Sequence, residues 1–269
     1  INSDSIKSKL SKIEFDMLIV AGGWPRLIGK DVIGKARIGG MNIHPSILPK
    51  FRGTSVHRWQ ILEGERTSGV TFHELEDVYD SGDIILQKSF DISNRETPQS
   101  LVMKASKIAS GSIEEAIRKF EQGGIISGID SMEEEQWPRW NWEEDSINWL
   151  DWNLSAEEID NIVRSCNQES YHYGGPKTKL GNSTWIIRDT EVIEGRKMGI
   201  LEPGIFEFSR DGGLLVECGR GSIVKINRLQ KTIRGKNSLR SIKGNFFARF
   251  SKKNGLGRFE SIGIRNNQK

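Results

Sequence analysis

Apolar residues recur along the chain with two different periods, and the change from one to the other marks the elements. Ile6, Leu10 and Ile13 stand three or four apart, the spacing of one helix face, and Ser3 or Asp4 can cap that helix. Met17-Leu18-Ile19-Val20-Ala21 is a short continuous apolar run, read as a buried strand. A helix is expected near Leu27 to Ile33, and a second strand over Ile38-Gly39-Gly40-Met41-Asn42-Ile43. Pro45 and Pro49 bracket the next segment, which cannot continue a central strand. A helix from about Ser55 to Leu62 and two strands, about Gly69 to Leu75 and Asp83 to Phe90, follow. Thr97-Pro98 then opens a long helix with proline in the favoured first position. Leu101, Val102, Ala105, Ile108, Ile113 and Ile117 form its apolar face, and Gly123-Gly124 ends it. This alternation predicts an α/β domain with a mainly parallel sheet.

The pattern then changes. Trp137, Trp140, Trp142, Trp149 and Trp152 crowd a stretch rich in acids, read as a linker whose rings pack onto the preceding body. Ser155-Ala156-Glu157-Glu158 is a capping box opening a helix with Ile159, Ile162 and Val163. Beyond Gly174-Gly175 short strands are expected at Thr184 to Ile187, Gly204 to Phe208, Leu214 to Cys218 and Ser222 to Ile226. Short strands between glycine turns suggest a small β-barrel. The expected division is residues 1–124 for the first domain, 125–154 for the linker and 155–269 for the C-terminal β-barrel domain.

Composition adds one asymmetry. The formal net charge is +3. From Arg220 to Lys269, however, 14 Lys and Arg face one acid, Glu260, while the preceding residues carry 25 basic against 35 acidic side chains. Phe246, Phe247 and Phe250 interleave with the basic residues. Such a segment is either a surface for RNA or another phosphate-bearing substrate, or a solvated β face with the Phe rings in its core. Two cysteines, Cys166 and Cys218, are too few for a disulfide scaffold and suit a reducing compartment. Together with the four histidines they show no metal-ligand spacing. No apolar run approaches the roughly 20 residues of a membrane span, and no signal peptide is visible. A cytoplasmic protein is expected.

The candidate chemistry lies in Asn42-Ile43-His44-Pro45-Ser46-Ile47-Leu48-Pro49-Lys50-Phe51-Arg52-Gly53 and in Asp80-Ser81-Gly82-Asp83-Ile84. Strand side chains alternate, so Asn42 and His44 face the same way. They stand at the carboxyl end of a strand, where open α/β sheets bind ligands. An amide and an imidazole can both donate to an oxyanion, and losing one such donor costs about a hundredfold or more in rate. Asp80 can orient the imidazole or take a proton. This set suits attack of an amine on a carbonyl carbon, with the nucleophile supplied by the substrate. The other histidines are less defined. His73 either faces water from its strand or lines the site, His57 belongs at a core edge, and His172 in its loop-like run has no assigned role.

Asn42-x-His44-x-Ser46-x-Leu48-Pro49 ending in Phe51-Arg52-Gly53, then Thr67 to His73 and Asp80-Ser81-Gly82-Asp83-Ile84, resembles the formyltransferases that use 10-formyltetrahydrofolate. The strong match runs from about Asp16 to Phe90. The resemblance implies a formyltransferase-type, Rossmann-like sheet and catalytic roles for Asn42, His44 and Asp80. It also implies a folate site beside Ser46, Ile47, Leu48 and Pro49, with Val78 and Tyr79 before the catalytic acid and Trp24, Arg26 and Leu27 at a pterin pocket. Asp145-Ser146-Ile147-Asn148-Trp149 and the strand start at Pro203-Gly204 are similar to the carboxyl-terminal barrel of the members that act on methionyl-tRNA. Some amino-sugar formyltransferases carry that domain too. The basic tail makes methionyl-tRNA the leading acceptor, bound through the basic C-terminal segment. His73 favours an amino-sugar nucleotide or another small amine, since tRNA-directed members usually lack a histidine there. A folate- or RNA-binding protein without catalysis is the reading from another class. The family's catalytic domain carries further strands and helices before the position of Asp16, so the sheet is expected to be partial and its amino-terminal part missing.

Overall fold

The computed structural model describes residues 8–10, 12–22, 26–126, 149–167, 175–196, 202–231, 241–242 and 257–259. It separates into two compact units, Ile1–Gln60 with Glu65–Arg139, and Ile61–Gly64 with Trp140–Lys269.

In the first unit, β1 (Met17–Ala21), α1 (Lys30–Ile33), β2 (Gly39–His44), α2 (Val56–Leu62), β3 (Thr67–Glu74), β4 (Ile84–Asp91) and α3 (Pro98–Glu121) follow in order. The strands form a sheet in the order β1-β2-β3-β4. β1 and β2 run parallel, whereas β2–β3 and β3–β4 are antiparallel. The expectation of a mainly parallel sheet is therefore corrected: one of these three pairings is parallel. A continuous apolar strand reads alike in either direction, so periodicity could not tell them apart. The helix expected from Leu27 is shorter and begins at Lys30.

The pleat sorts the side chains. Met41, Val70, Phe72, Leu86, Ala105 and Ala116 are buried in one core, with Ile108, Ile113, Ile117 and Phe120 packed against it. This core faces α3 along most of the apolar stripe marked in the sequence; Val102, placed on that stripe, is instead 41% exposed. Thr97 caps α3 through a reciprocal capping box with Ser100. On the other face of the sheet, cross-strand partners Asn42↔His73 and His44↔Thr71↔Gln87 make a polar row.

In the second unit, α4 (Ala156–Ser165) is capped by the Ser155–Glu158 box expected from sequence. It packs on a curled antiparallel sheet of β5 (Lys177–Leu180), β6 (Ser183–Ile193), β7 (Ile205–Phe208), β8 (Leu214–Glu217), β9 (Ile223–Lys231), β10 (Ser241–Ile242) and β11 (Gly257–Arg258). The order is β11-β7-β8-β9-β6-β5, with β10 on β9, a mixture of helix and barrel-type sheet as expected. β5 was not foreseen, and β6 and β9 are longer than the strands read there. Trp152 is fully buried in this unit's core with Leu150, Ile159, Phe206 and Phe259. The ring expected to pack onto the first domain is thus part of the second unit's own core. Trp149 pairs with Lys177 in an isolated bridge. Trp137, Trp140 and Trp142, the Phe246, Phe247 and Phe250 run, and the helix expected around Ile6 lie wholly or mostly outside the described residues.

Candidate active site

β2 ends at His44, and the polar face of the sheet brings its last residues against β3. Asn42 and His73 are direct cross-strand partners. A β-bulge between Phe72 and His73 locally resets the pairing, as bulges next to functional sites do. Asp80 comes from the turn between β3 and β4. Gly82 makes that turn possible, because a Cβ there would lie 2.0 Å from the Glu74 carbonyl oxygen.

The three candidate catalytic residues meet. Asp80 is 8% exposed, His44 4% and His73 1%, so the cluster is taken out of water. His44 Nδ1 lies 3.2 Å from Asp80 Oδ1, and its Nε2 is 2.8 Å from the Phe51 carbonyl oxygen. Each ring nitrogen thus faces an oxygen acceptor and can donate to it. Asn42 Nδ2 donates to Asp80 Oδ1 at 3.2 Å and lies 3.0 Å from His73 Nε2. His73 Nδ1 is 2.8 Å from the Glu74 carbonyl. That carbonyl can only accept, so Nδ1 carries the proton and Nε2 is left to accept from Asn42. Asp80 Oδ2 accepts from the Gly53 amide at 2.8 Å.

Burial raises the Asp80 carboxyl's pKa. The hydrogen bond and charge of His44 and the Gly53 amide outweigh it and hold the group well below the usual carboxylate range. Asp80 is therefore a carboxylate at neutral pH. His57, beside this site, is pushed the other way for a base: burial, opposed by a Gln60 hydrogen bond and aided by the His44 charge, lowers it to about 4. His57 is accordingly neutral.

The residues expected at a folate site divide into two kinds. Ser46 and Leu48 are buried and bonded within the protein. Ser46 Oγ donates to the Lys50 carbonyl at 2.7 Å, and the Leu48 amide donates to Thr71 Oγ1 at 3.1 Å. The Leu48–Pro49 peptide is cis, and Ile47 packs over Gly69, where a Cβ would lie 2.1 Å from Ile47 Cδ1. These residues shape the loop. Val78 and Tyr79 are instead 51% and 39% exposed, and Leu27 and Arg26 are also exposed. A Lys30–Asp77 ion pair at 3.3 Å ties the segment after Leu27 to the one before Val78. Leu27, Val78 and Tyr79 are thus accessible, the last two adjoining Asp80 in the chain. Trp24 lies outside the described residues.

Sequence reading missed Thr71 and Gln87. Thr71 Oγ1 donates to the Ser46 carbonyl at 2.7 Å, and Gln87 Nε2 donates to the Leu48 carbonyl at 2.8 Å. Both hold the Pro-bracketed loop, and a glutamine in the otherwise apolar start of β4 was the available signal.

The second unit carries a separate polar surface. Lys177 and Lys179 place their ammonium groups 6.0 and 5.7 Å from the Trp149 ring. Lys177 pairs with Ile186, which pairs with Gln230, and Arg188 Nε donates to Gln230 Oε1 at 2.9 Å. Burial and the neighbouring Arg228 charge lower the Arg188 guanidinium's pKa. Lys177 and Lys179 thus stand at an aromatic ring, with Arg188 and Arg228 elsewhere on β6 and β9.

An Asn–His–carboxylate cluster, with His44 and Asp80 buried and Asn42 half-buried, thus stands at the end of β2 on a small α/β sheet, and a helix and a curled sheet follow in the chain. Residues 2–117 match the model of the formyl transferase family and residues 144–243 that of the formyl transferase C-terminal domain. The chain belongs to the formyl transferase family, enzymes of one-carbon group transfer that use 10-formyltetrahydrofolate. It is 27% identical over 230 residues to the methionyl-tRNA formyltransferase of Anaeromyxobacter sp. (strain K), covering 86% of this chain and 72% of that protein. Its fold is similar to that of WlaRD, a sugar 3N-formyl transferase, with a TM-score of 0.61 at 20% identity over 84% of this chain and 77% of that one. It is also similar to HypX from Aquifex aeolicus in complex with tetrahydrofolic acid, with a TM-score of 0.58 at 23% identity over 88% of this chain. The chain spans 38% of the length of HypX.

Proposed function

We propose that this protein transfers a formyl group from 10-formyltetrahydrofolate to a primary amine, with methionyl-tRNA as the acceptor. The observation that carries the transfer chemistry is the buried contact of Asn42, His44 and Asp80. The neutral amine attacks the formyl carbon. A new C–N bond forms while the bond to the folate nitrogen breaks. The amine loses a proton, and the departing tetrahydrofolate nitrogen gains one. The formyl oxygen takes over an N–H of Asn42 or His44 as it becomes an oxyanion, which preorganised donors in a dry site stabilise strongly. Asp80 orients His44 and assists removal of the amine proton. Val78, Tyr79, Leu27 and Arg26 offer the exposed surface for the pterin, and Ser46 to Pro49 shape the loop beside it.

Two features favour tRNA as the acceptor: the similarity to methionyl-tRNA formyltransferases, and Lys177 and Lys179 at the Trp149 ring on the second unit, which suit a phosphate backbone. The placement of this protein in the cytoplasm follows from the same reading. His73 favours a second one. It is buried against Asn42, and a small amine such as an amino-sugar nucleotide fits a site lined by a histidine.

The test offers 10-formyltetrahydrofolate with charged initiator tRNA and, separately, with a panel of nucleotide-linked amino sugars. Formylated tRNA, with binding that weakens steeply as salt rises, is the expected result. Formylation of an amino sugar without tRNA affinity replaces the first acceptor by the second. Folate binding with no product from any amine overturns the catalytic reading.

A further inference from the structure

Three consecutive residues, Phe51, Arg52 and Gly53, grip the site from one side, and each reaches a different part of it. The Phe51 carbonyl holds His44 Nε2, and the Gly53 amide holds Asp80 Oδ2. Between them, Arg52 Nη2 donates to the Tyr79 carbonyl at 2.9 Å. Arg52 is 4% exposed, and its Nε is buried with no hydrogen-bond acceptor. Among the described residues no carboxylate forms an ion pair with it. A buried cation without a counter-charge is costly, and surface charge or solubility cannot account for it. What remains is the bond it does make.

That bond falls on a particular peptide group. The Tyr79 carbonyl belongs to the peptide plane that adjoins the N–Cα bond of Asp80, so its orientation sets φ of Asp80. Asp80 has φ of 49°, in the left-handed region, as do Phe51 at 57° and Gly53 at 102°. A non-glycine residue held there costs about 1–2 kcal/mol, and persists only when its surroundings impose it.

We propose that Arg52 is a positioning residue: its guanidinium holds the Tyr79 carbonyl, fixes the left-handed turn at Asp80, and so aims the Asp80 carboxylate at His44 and Asn42. Its effect on turnover rests on the formyl-transfer reading; its effect on Asp80 does not. The groups facing that carboxylate are His44 and Asn42 from β2, His73 from β3, and the Gly53 amide. All depend on Asp80 being turned towards them.

The experiment follows the Asp80 carboxyl carbon by NMR in the full chain labelled at aspartate, with Asp80→Asn to assign the resonance, and runs kinetics in parallel. In the parent protein the Asp80 signal stays that of a carboxylate as pH falls towards the ordinary value of 3.8. In Arg52→Met the signal titrates close to that value. The same variant lowers kcat about 10- to 100-fold, the cost of misplacing a reacting group by about 1 Å, and leaves KM for the amine little changed. Arg52→Lys, which keeps a donor, recovers part of both. Should Arg52→Met not fold, Arg52→Gln, shorter by the guanidinium head, takes its place. A folded Arg52→Met or Arg52→Gln protein whose Asp80 titrates like the parent overturns the proposal. If the parent itself transfers no formyl group, the formyl-transfer reading fails, and the carboxyl titration still decides the role of Arg52.

Discussion

The two units fill their interiors differently. In the first, one face of the sheet and the turn after β3 hold His44, Thr71, His73 and Asp80 buried, with half-buried Asn42, in a network of hydrogen bonds, and the opposite face packs apolar residues against α3. In the second, the interior is mainly aromatic and aliphatic, with a smaller set of buried polar groups that includes Asp160, Thr178, Thr190 and Glu217. Trp152 stacks on Phe259 with centroids 5.2 Å apart, and Phe206 lies 4.6 Å from the same ring. Apolar packing is non-directional and roughly proportional to area, so the second unit stores stability that any well-shaped set of rings can supply. A buried polar network is useful only when every donor meets an acceptor. The first unit therefore devotes buried positions to geometry, and substitutions there are read in chemistry before they are read in stability.

Five substitutions break or sharpen this contrast. The largest effect belongs to Asp80→Asn. Formyl transfer should fall by about 10³-fold or more, within the range for a positioned acid–base group, with the thermal midpoint near that of the parent. An active, folded variant would remove Asp80 from the mechanism. Trp152→Ala should show the reverse signature, a loss of about 3–5 kcal/mol in denaturant unfolding; a loss below about 1 kcal/mol would mean that the ring is not central to that core.

His57 gives a pH test. Its folded pKa is lowered from 6.5 to about 4, so the unfolded chain binds a proton there before the folded one does. Its contribution is fully present above pH 6.5 and is lost as pH falls towards 4, by up to about 3 kcal/mol. His57→Phe should flatten this part of the stability–pH curve, and an unchanged slope would assign it to other groups. Asp80, also held low, acts at more acidic pH, so the two windows separate.

The smallest effects should be equal in the two units. Thr97 caps α3 and Ser155 caps α4, each in a reciprocal capping box. Thr97→Ala and Ser155→Ala should each cost about 1 kcal/mol. Equal losses would show that local helix chemistry is indifferent to how each core is filled. A much larger loss at either site would tie that helix start to its core.

Some of this was legible along the chain. The period-two rule placed Asn42 and His44 on one face, the Thr97-Pro98 and Ser155 to Glu158 patterns marked two helix starts, and the two polar motifs brought Asp80 into the same argument. These depend on near neighbours in sequence, where strand alternation and capping act. Tertiary structure alone decided that β3 runs antiparallel beside β2, which sets His73 opposite Asn42 and turns one of two open readings into a buried contact. It alone decided that Trp152 belongs to the second core, and that Phe51, Arg52 and Gly53 reach His44, Tyr79 and Asp80. Strand direction, burial and the partner of a buried guanidinium are settled by contacts between distant segments, and no local period carries that information.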